Sequence, residues 1–247
     1  MVIYDTLNDD DQQIGVGLGC NGKIEVLFTP LVKSDTHNPV AILKSCLHRR
    51  EPSVLIQMLQ SAEDVGIRGR LWDAPQWEEL SAIIGIPYPT LLAHQKAVLD
   101  KGKSEVVAFQ NKKGVTYTLL FEYLRPNIRL LIAGDNYDVA ALVQLATLLG
   151  WTTEVFGKRS KFSKTVFTQA AHVGDFDEMP TVSTDAFTAI VLMTHDLKRD
   201  QLLCLPCQQT IYVCRAVGTR KRFEKIKAFA NIAEDSIIHT HWLRHRG

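Results

Sequence analysis

After Pro126 the chain settles into one pattern, short apolar runs separated by amphipathic stretches, and that alternation leaves few folds open. Ile128 to Ala133 (IRLLIA) suits a buried parallel strand. Residues 137–149 set Val139, Leu142, Val143, Ala146 and Leu149 on one helical stripe, and Gly150 follows as a C-terminal cap. Thr152 to Phe156 alternates and is β-branched, Thr188 to Met193 (TAIVLM) reads as a second buried strand, and Thr210 to Cys214 (TIYVC) as a third. Residues 197–203 and 219–230 read as helices. Strands alternating with helices imply an α/β fold with a parallel sheet covered on both faces, and its ligand crevice lies at the carboxyl ends of the strands. Pro126 biases Arg125 away from helix, so a boundary is expected there. Residues 1–126 then form a smaller α+β domain, and residues 127–247 a Rossmann-like one.

The first half is less regular. Lys23 to Phe28 is strand-like, Asn38 is placed to cap a helix through Cys46, and Asp73 with Gln76 forms a capping box ahead of Trp77 to Ile84. Leu91 to Leu99 reads as helix, and Ser104 to Phe121 as a hairpin around Lys113-Gly114. Composition excludes several classes. With 46% apolar and 22% charged residues in 247, the chain is globular rather than disordered. A net charge of +1 argues against nucleic acid held by bulk charge. No apolar run is long enough for a membrane span, and the acidic start, MVIYDTLNDDDQQ, lacks a secretory signal core. Five cysteines without a disulfide-scaffold pattern point to a reducing cytoplasm.

Candidate sites cluster where strands turn into helices. Gly134 sits at the first such turn, but the run Gly134-Asp135-Asn136-Tyr137-Asp138-Val139 is not a dinucleotide fingerprint. Asn136 replaces the second glycine, and Asp135 puts a carboxylate where a phosphate would lie. The next strand ends in Phe156-Gly157-Lys158-Arg159 rather than in a ribose-binding acid. Lys158 or Arg159 is available to a phosphate, yet NAD(P) is not expected. Gly218, Thr219, Arg220, Lys221 and Arg222 open a helix after a strand. They suit either an anionic ligand at a helix N-terminus or a solvated basic face capped by Thr219. His195 and Asp196 end the strand at 188–193, where His195 is a candidate acid, base or ligand contact and Asp196 a candidate ligand contact or helix cap. Cys20 follows a glycine-alternating loop, Gly15-Val16-Gly17-Leu18-Gly19, that lets a ligand approach backbone and thiol, or simply makes a tight turn. Cys204 and Cys207 form a single CxxC with no second pair, and His239, His241 and His245 lack acidic or cysteine neighbours, so neither group is expected to hold a metal. No complete catalytic constellation is visible.

Longer stretches carry a resemblance. Tyr4-Asp5-Thr6, Asp9 to Asp11 and Gly15-Val-Gly-Leu-Gly-Cys20-Asn-Gly-Lys-Ile-Glu-Val-Leu27 form one. Arg129-Leu-Leu-Ile-Ala-Gly134, Asp138, Leu148-Gly-Trp151, Met193-Thr-His-Asp196, Asp200, Tyr212 and Gly218-Thr-Arg220 form the other. Together they resemble the xanthine dehydrogenase accessory (XdhC/CoxI) family, with residues 50–120 matching loosely. The resemblance implies a non-catalytic chaperone that binds molybdenum cofactor and passes it to a molybdenum hydroxylase such as xanthine dehydrogenase. It implies a homodimer and a C-terminal Rossmann-like domain. The cofactor-binding residues it implies are Cys20, Gly134, Asp138, His195, Asp196, Gly218, Thr219 and Arg220. The chain departs from the family at the Gly134 turn, which usually reads Gly-Ala-Gly, and at Gly157. It is expected to be truncated at both ends, with the tail after Thr240 a shifted reading of the family's sequence. The competing readings are an NAD(P)-dependent Rossmann oxidoreductase and a degenerate remnant that keeps only the fold.

Overall fold

The computed structural model describes residues 2–5, 22–29, 31–35, 37–63, 65–203, 213–216 and 218–230. It divides into two compact units, Met1–Arg125 and Pro126–Gly247. Among the described residues no helix is long and apolar enough to cross a membrane.

In the first unit β1 (Val2–Asp5) and β2 (Lys23–Val26) pair antiparallel, and α1 (Pro39–Cys46) follows. The Asn38 side chain caps α1, its Oδ1 accepting from the amides of Val40 and Ala41. The sheet proper comprises β3 (Ser53–Ser61), β4 (Leu71–Trp72), β5 (Glu105–Gln110) and β6 (Thr116–Leu124), ordered β4-β3-β6-β5 and antiparallel throughout. Between β4 and β5 lie α2 (Trp77–Ile84) and α3 (Tyr88–Lys101). Val54, Ile56 and Met58 of β3 face a core built with Trp77, Leu80, Ile84, Leu91 and Val98 of the two helices. Leu55 points to the other face, against Ile42 of α1 and Leu71. Burial on both faces gives β3 an unalternating apolar run, Val54 to Ile56, followed after Gln57 by Met58 and Leu59, so no strand was expected there. The hairpin β5–β6 turns at Gly114 with φ +80°, and Asn111 Oδ1 accepts from the amides of Lys113 and Val115.

The Asp73–Gln76 capping box forms, and Asp73 also pairs with Arg49 through both carboxylate oxygens. The Arg49 guanidinium, with the Ala74 amide, holds the Asp73 carboxyl below its usual range despite partial burial. A depressed folded pKa contributes stability that is full above the unfolded carboxylate value and lost as pH falls through the folded one. The stability gap between the native chain and Asp73→Asn is therefore expected to be constant near neutrality. It should shrink below about pH 4 in urea titrations, and a gap that ignores acid would refute this coupling.

In the second unit β7 (Arg129–Ala133), α4 (Asp138–Leu148), β8 (Thr152–Phe156), α5 (Lys164–Gln169), β9 (His172–Gly174), β10 (Thr188–Leu192), α6 (Leu197–Leu203), β11 (Val213–Ala216) and α7 (Arg220–Ala230) follow in chain order. All five strands are parallel, ordered β11-β10-β7-β8-β9. Leu130 and Ile132 of β7 pack with Val139, Val143 and Ala146 of α4 and Val166 of α5. Leu131 and Ala133 pack on the opposite face with Leu203 of α6 and Ile226 of α7. This is the α/β, helix-covered parallel sheet expected of the second half. Two details differ. The last strand's described part, Val213–Ala216, reaches two residues further than expected, and 204–212 lie outside the described residues. The short β9 and α5 were not anticipated, because three residues of strand and six of helix carry too little periodicity to register.

Candidate functional site

The strand order reverses direction between β7 and β10, so the crevice of this sheet opens between the segments that follow those two strands. Gly134 ends β7 and is held to β8 by its amide, which donates to Phe156 O at 3.0 Å. Its role here is steric. A Cβ at this position would stand 2.9 Å from Met193 O and 3.2 Å from a Val139 methyl, so only glycine admits both the end of β10 and α4. Next to it, Asp135 is buried, with Oδ1 3.1 Å from Lys161 Nζ and Oδ2 without a hydrogen-bond partner among the described residues. A carboxylate thus occupies the position that a pyrophosphate takes in dinucleotide-binding relatives of this fold. Arg159, read from sequence as available to a phosphate, instead donates to Val173 O at 2.7 Å and lies 5.9 Å from the Phe167 ring.

Across the switch point, Asp138 of α4 and His195 after β10 meet, Oδ2 to Nε2 at 3.6 Å. His195 is the one non-glycine residue with positive φ (+60°) among the described residues. Such a conformation persists only where neighbours enforce it, and here they do. Thr194 Oγ1 accepts from the Asp196 amide at 3.1 Å and donates to Asp200 Oδ1 at 2.5 Å, so the chain turns tightly at His195 and leaves its ring half-exposed. Asp196 takes the capping role. Its Oδ1 accepts from the amides of Lys198 and Arg199 at 3.0 and 3.2 Å.

Asp200 is fully buried and receives Arg222 Nε at 3.1 Å and Nη2 at 2.5 Å. One carboxylate therefore fastens the His195 turn, α6 and α7 together. Gly218, with φ +142°, leads into α7, and a Cβ there would meet Arg222 Cδ at 2.8 Å. Thr219 Oγ1 accepts from the Arg222 amide at 3.3 Å and caps the helix. An open cleft of about 380 Å³ results, with His195 and Leu197 on one side and Gly218, Thr219, Lys221, Arg222 and Lys225 on the other. Lys221 and Lys225, one helical turn apart, both line it, whereas Arg222 is largely committed to Asp200.

Of the residues expected from sequence, the fold brings His195, Gly218 and Thr219 to one cleft and sets Asp138 against His195. Gly134 lies at the same sheet edge, Asp196 caps α6, and Arg220 opens α7 with its side chain outside the described residues. Cys20, Cys204, Cys207 and the histidines of the tail lie outside the described residues. Among the described residues no group of three His, Cys, Asp or Glu side chains is placed to hold a metal. Sequence reasoning overlooked Thr194 and Asp200 as organisers and Lys225 as a cleft residue. The i,i+4 lysine spacing was a usable signal for Lys225, while nothing local marks the Asp200–Arg222 pair, 22 residues apart.

Residues 130–241 match the family model of the XdhC Rossmann domain. This stretch of the second unit is therefore similar to an XdhC Rossmann domain. No curated protein matches the chain. Among solved structures, one described as a xanthine dehydrogenase from Bacillus halodurans is similar over 81% of this chain and 87% of that one, at 13% identity and a TM-score of 0.43. The XdhC match spans β7 to α7, and so includes both loops of the switch point and the whole cleft.

Proposed function

We propose that this chain is an accessory protein of the XdhC family that binds molybdenum cofactor and delivers it to a molybdenum hydroxylase of the xanthine dehydrogenase kind, acting as a homodimer. One observation carries the reading. The carboxyl edge of its XdhC-like Rossmann domain holds a cationic cleft, lined by Lys221, Lys225 and His195, beside a first βα turn that carries a buried carboxylate. The cofactor carries a phosphate, a pterin and a dithiolene-bound metal. Lys221, Lys225 and the Thr219 hydroxyl fit the phosphate by charge and hydrogen bonding. His195 and Asp138 fit polar groups of the pterin. When bound, the cofactor supplies all of the redox chemistry, and the protein's part is to hold it and keep it from water. Asp135 disfavours a pyrophosphate at the usual dinucleotide position, since like charges in a buried turn repel strongly.

The test is anaerobic incubation with cofactor released from a molybdoenzyme, then gel filtration and assay of the protein peak for oxidised pterin fluorescence. Stoichiometric co-elution is expected, with binding weakened about tenfold or more in Lys221→Ala/Lys225→Ala. A folded, monodisperse native chain that carries no pterin through the column would sink the reading.

A further inference from the structure

The outer face of α4 departs from the usual pattern. Its inner stripe, Val139, Val143 and Ala146, packs on the sheet, and a helix of this kind normally carries charged and polar residues on the opposite side. Residues 139–153 hold no ionisable side chain at all. Ala141, Leu145, Leu148 and Leu149 face outward instead, and Trp151 follows in the turn to β8. Leu148 is 84% exposed, Leu149 64%, Leu145 59% and Trp151 37%. These four leave roughly 450 Å² of surface open, in the size range where apolar patches mark contact sites. Thr147, also exposed, donates its hydroxyl to Val143 O at 2.9 Å, so it can be dehydrated without losing its acceptor. α4 runs from the Asp138–His195 contact at the carboxyl edge of the sheet back to Trp151, just before β8 begins. The patch therefore lies toward the amino edge, at the far end of the unit from the cleft.

We propose that this face is where two copies of the chain meet, α4 against α4 about a two-fold axis. Charge selects a second copy over a different protein. In such a contact each group near the axis meets its own counterpart, so a charge there would face a like charge. A face without ionisable residues over 139–153 escapes that repulsion, and it offers nothing to steer or orient an oppositely charged partner. Area agrees. A standard interface covers about 800 Å² per partner, and in homodimers about 65% of it, roughly 500 Å², is apolar. The three leucines and Trp151 nearly supply that share, and a second copy covers it with a polar rim left to add. The inference rests on the homodimer of the reading above and deepens it by naming the surface. It also leaves the cleft of each copy open, since the cleft lies at the other edge of the sheet.

Sedimentation velocity at micromolar concentration tests the contact. The native chain is expected at twice the 27.7 kDa of one chain. Leu145→Glu/Leu148→Glu should sediment as a monomer, its dimer weakened about a hundredfold or more, because apolar burial is lost and carboxylates are set against their like. Leu145→Lys/Leu148→Lys should do the same. An equal mixture of the two variants should regain dimer, since each acidic face then meets a basic one. Thermal unfolding checks that each variant is folded, and the mass of the native chain tests the idea without any variant. A native dimer that persists in the glutamate variant overturns the inference and leaves the homodimer reading. A native chain that sediments as a monomer removes both. Two folded, monomeric variants that fail to pair when mixed also overturn it, because the copies then do not meet face to face at α4. The pterin assay decides the cofactor part of the reading on its own.

Discussion

Asp200→Ala is expected to destabilise the second unit by about 3–5 kcal/mol, the usual consequence of removing one partner of a buried ion pair. Asp200 is fully buried, and the Arg222 side chain is only 19% exposed. Without the carboxylate, the guanidinium keeps its desolvation cost and loses its compensation, and the Thr194 hydroxyl loses the shorter of its two acceptors. The penalty belongs mainly to the stranded charge. Asp200→Ala/Arg222→Met, which removes both partners, is therefore expected to recover much of the loss. Urea unfolding followed by far-ultraviolet circular dichroism measures both. A single-variant loss below about 1 kcal/mol, in the range of exposed pairs, would show that the pair is solvated. The same variants bear on function, because the pair ties the His195 turn to α7 and so sets the width of the cleft.

In the first unit the largest expected effect is Trp77→Ala, at about 3–5 kcal/mol. Trp77 has no exposed surface and meets Phe121 edge-on, with ring centroids 6.4 Å apart. Its indole Nε1 donates to Trp72 O at 3.1 Å, so one side chain joins the first turn of α2 to β4 and to the central sheet. Alanine leaves a cavity lined by rigid sheet residues that close in poorly, and it orphans a buried carbonyl. Trp77→Phe keeps most of the volume and loses the hydrogen bond. It should cost markedly less in the same urea experiment, and equal losses for the two variants would mean that packing around Trp77 is not what holds the unit together.

Much of the second unit was legible because its elements are specified locally. Leu130 to Ala133 must be buried on both faces, and the Val139, Val143, Ala146 stripe can only be a helix against that sheet. The caps at Asn38 and at Asp73–Gln76 were readable for the same reason, each being a side chain bonded to an amide two or three residues away. β3 was not readable. Its centre is apolar on both faces, and a short apolar run has no period to distinguish strand from helix.

The chemistry-bearing residues divide along the same line. The turn residues Gly134, His195 and Gly218 could be picked out in the sequence because each follows an apolar strand pattern, and the ends of strands are where such sheets bind ligands. Which of them share a site was decided by strand order. Placing β10 beside β7 brings His195 to Asp138 across 57 residues of chain, and packing α7 beside α6 gives Arg222 to Asp200 and leaves the lysines to the cleft. Periodicity and capping are short-range consequences of backbone geometry, so the sequence alone sufficed for the elements. Pairings across tens of residues depend on how the layers close around a common core, and those only the tertiary structure decided.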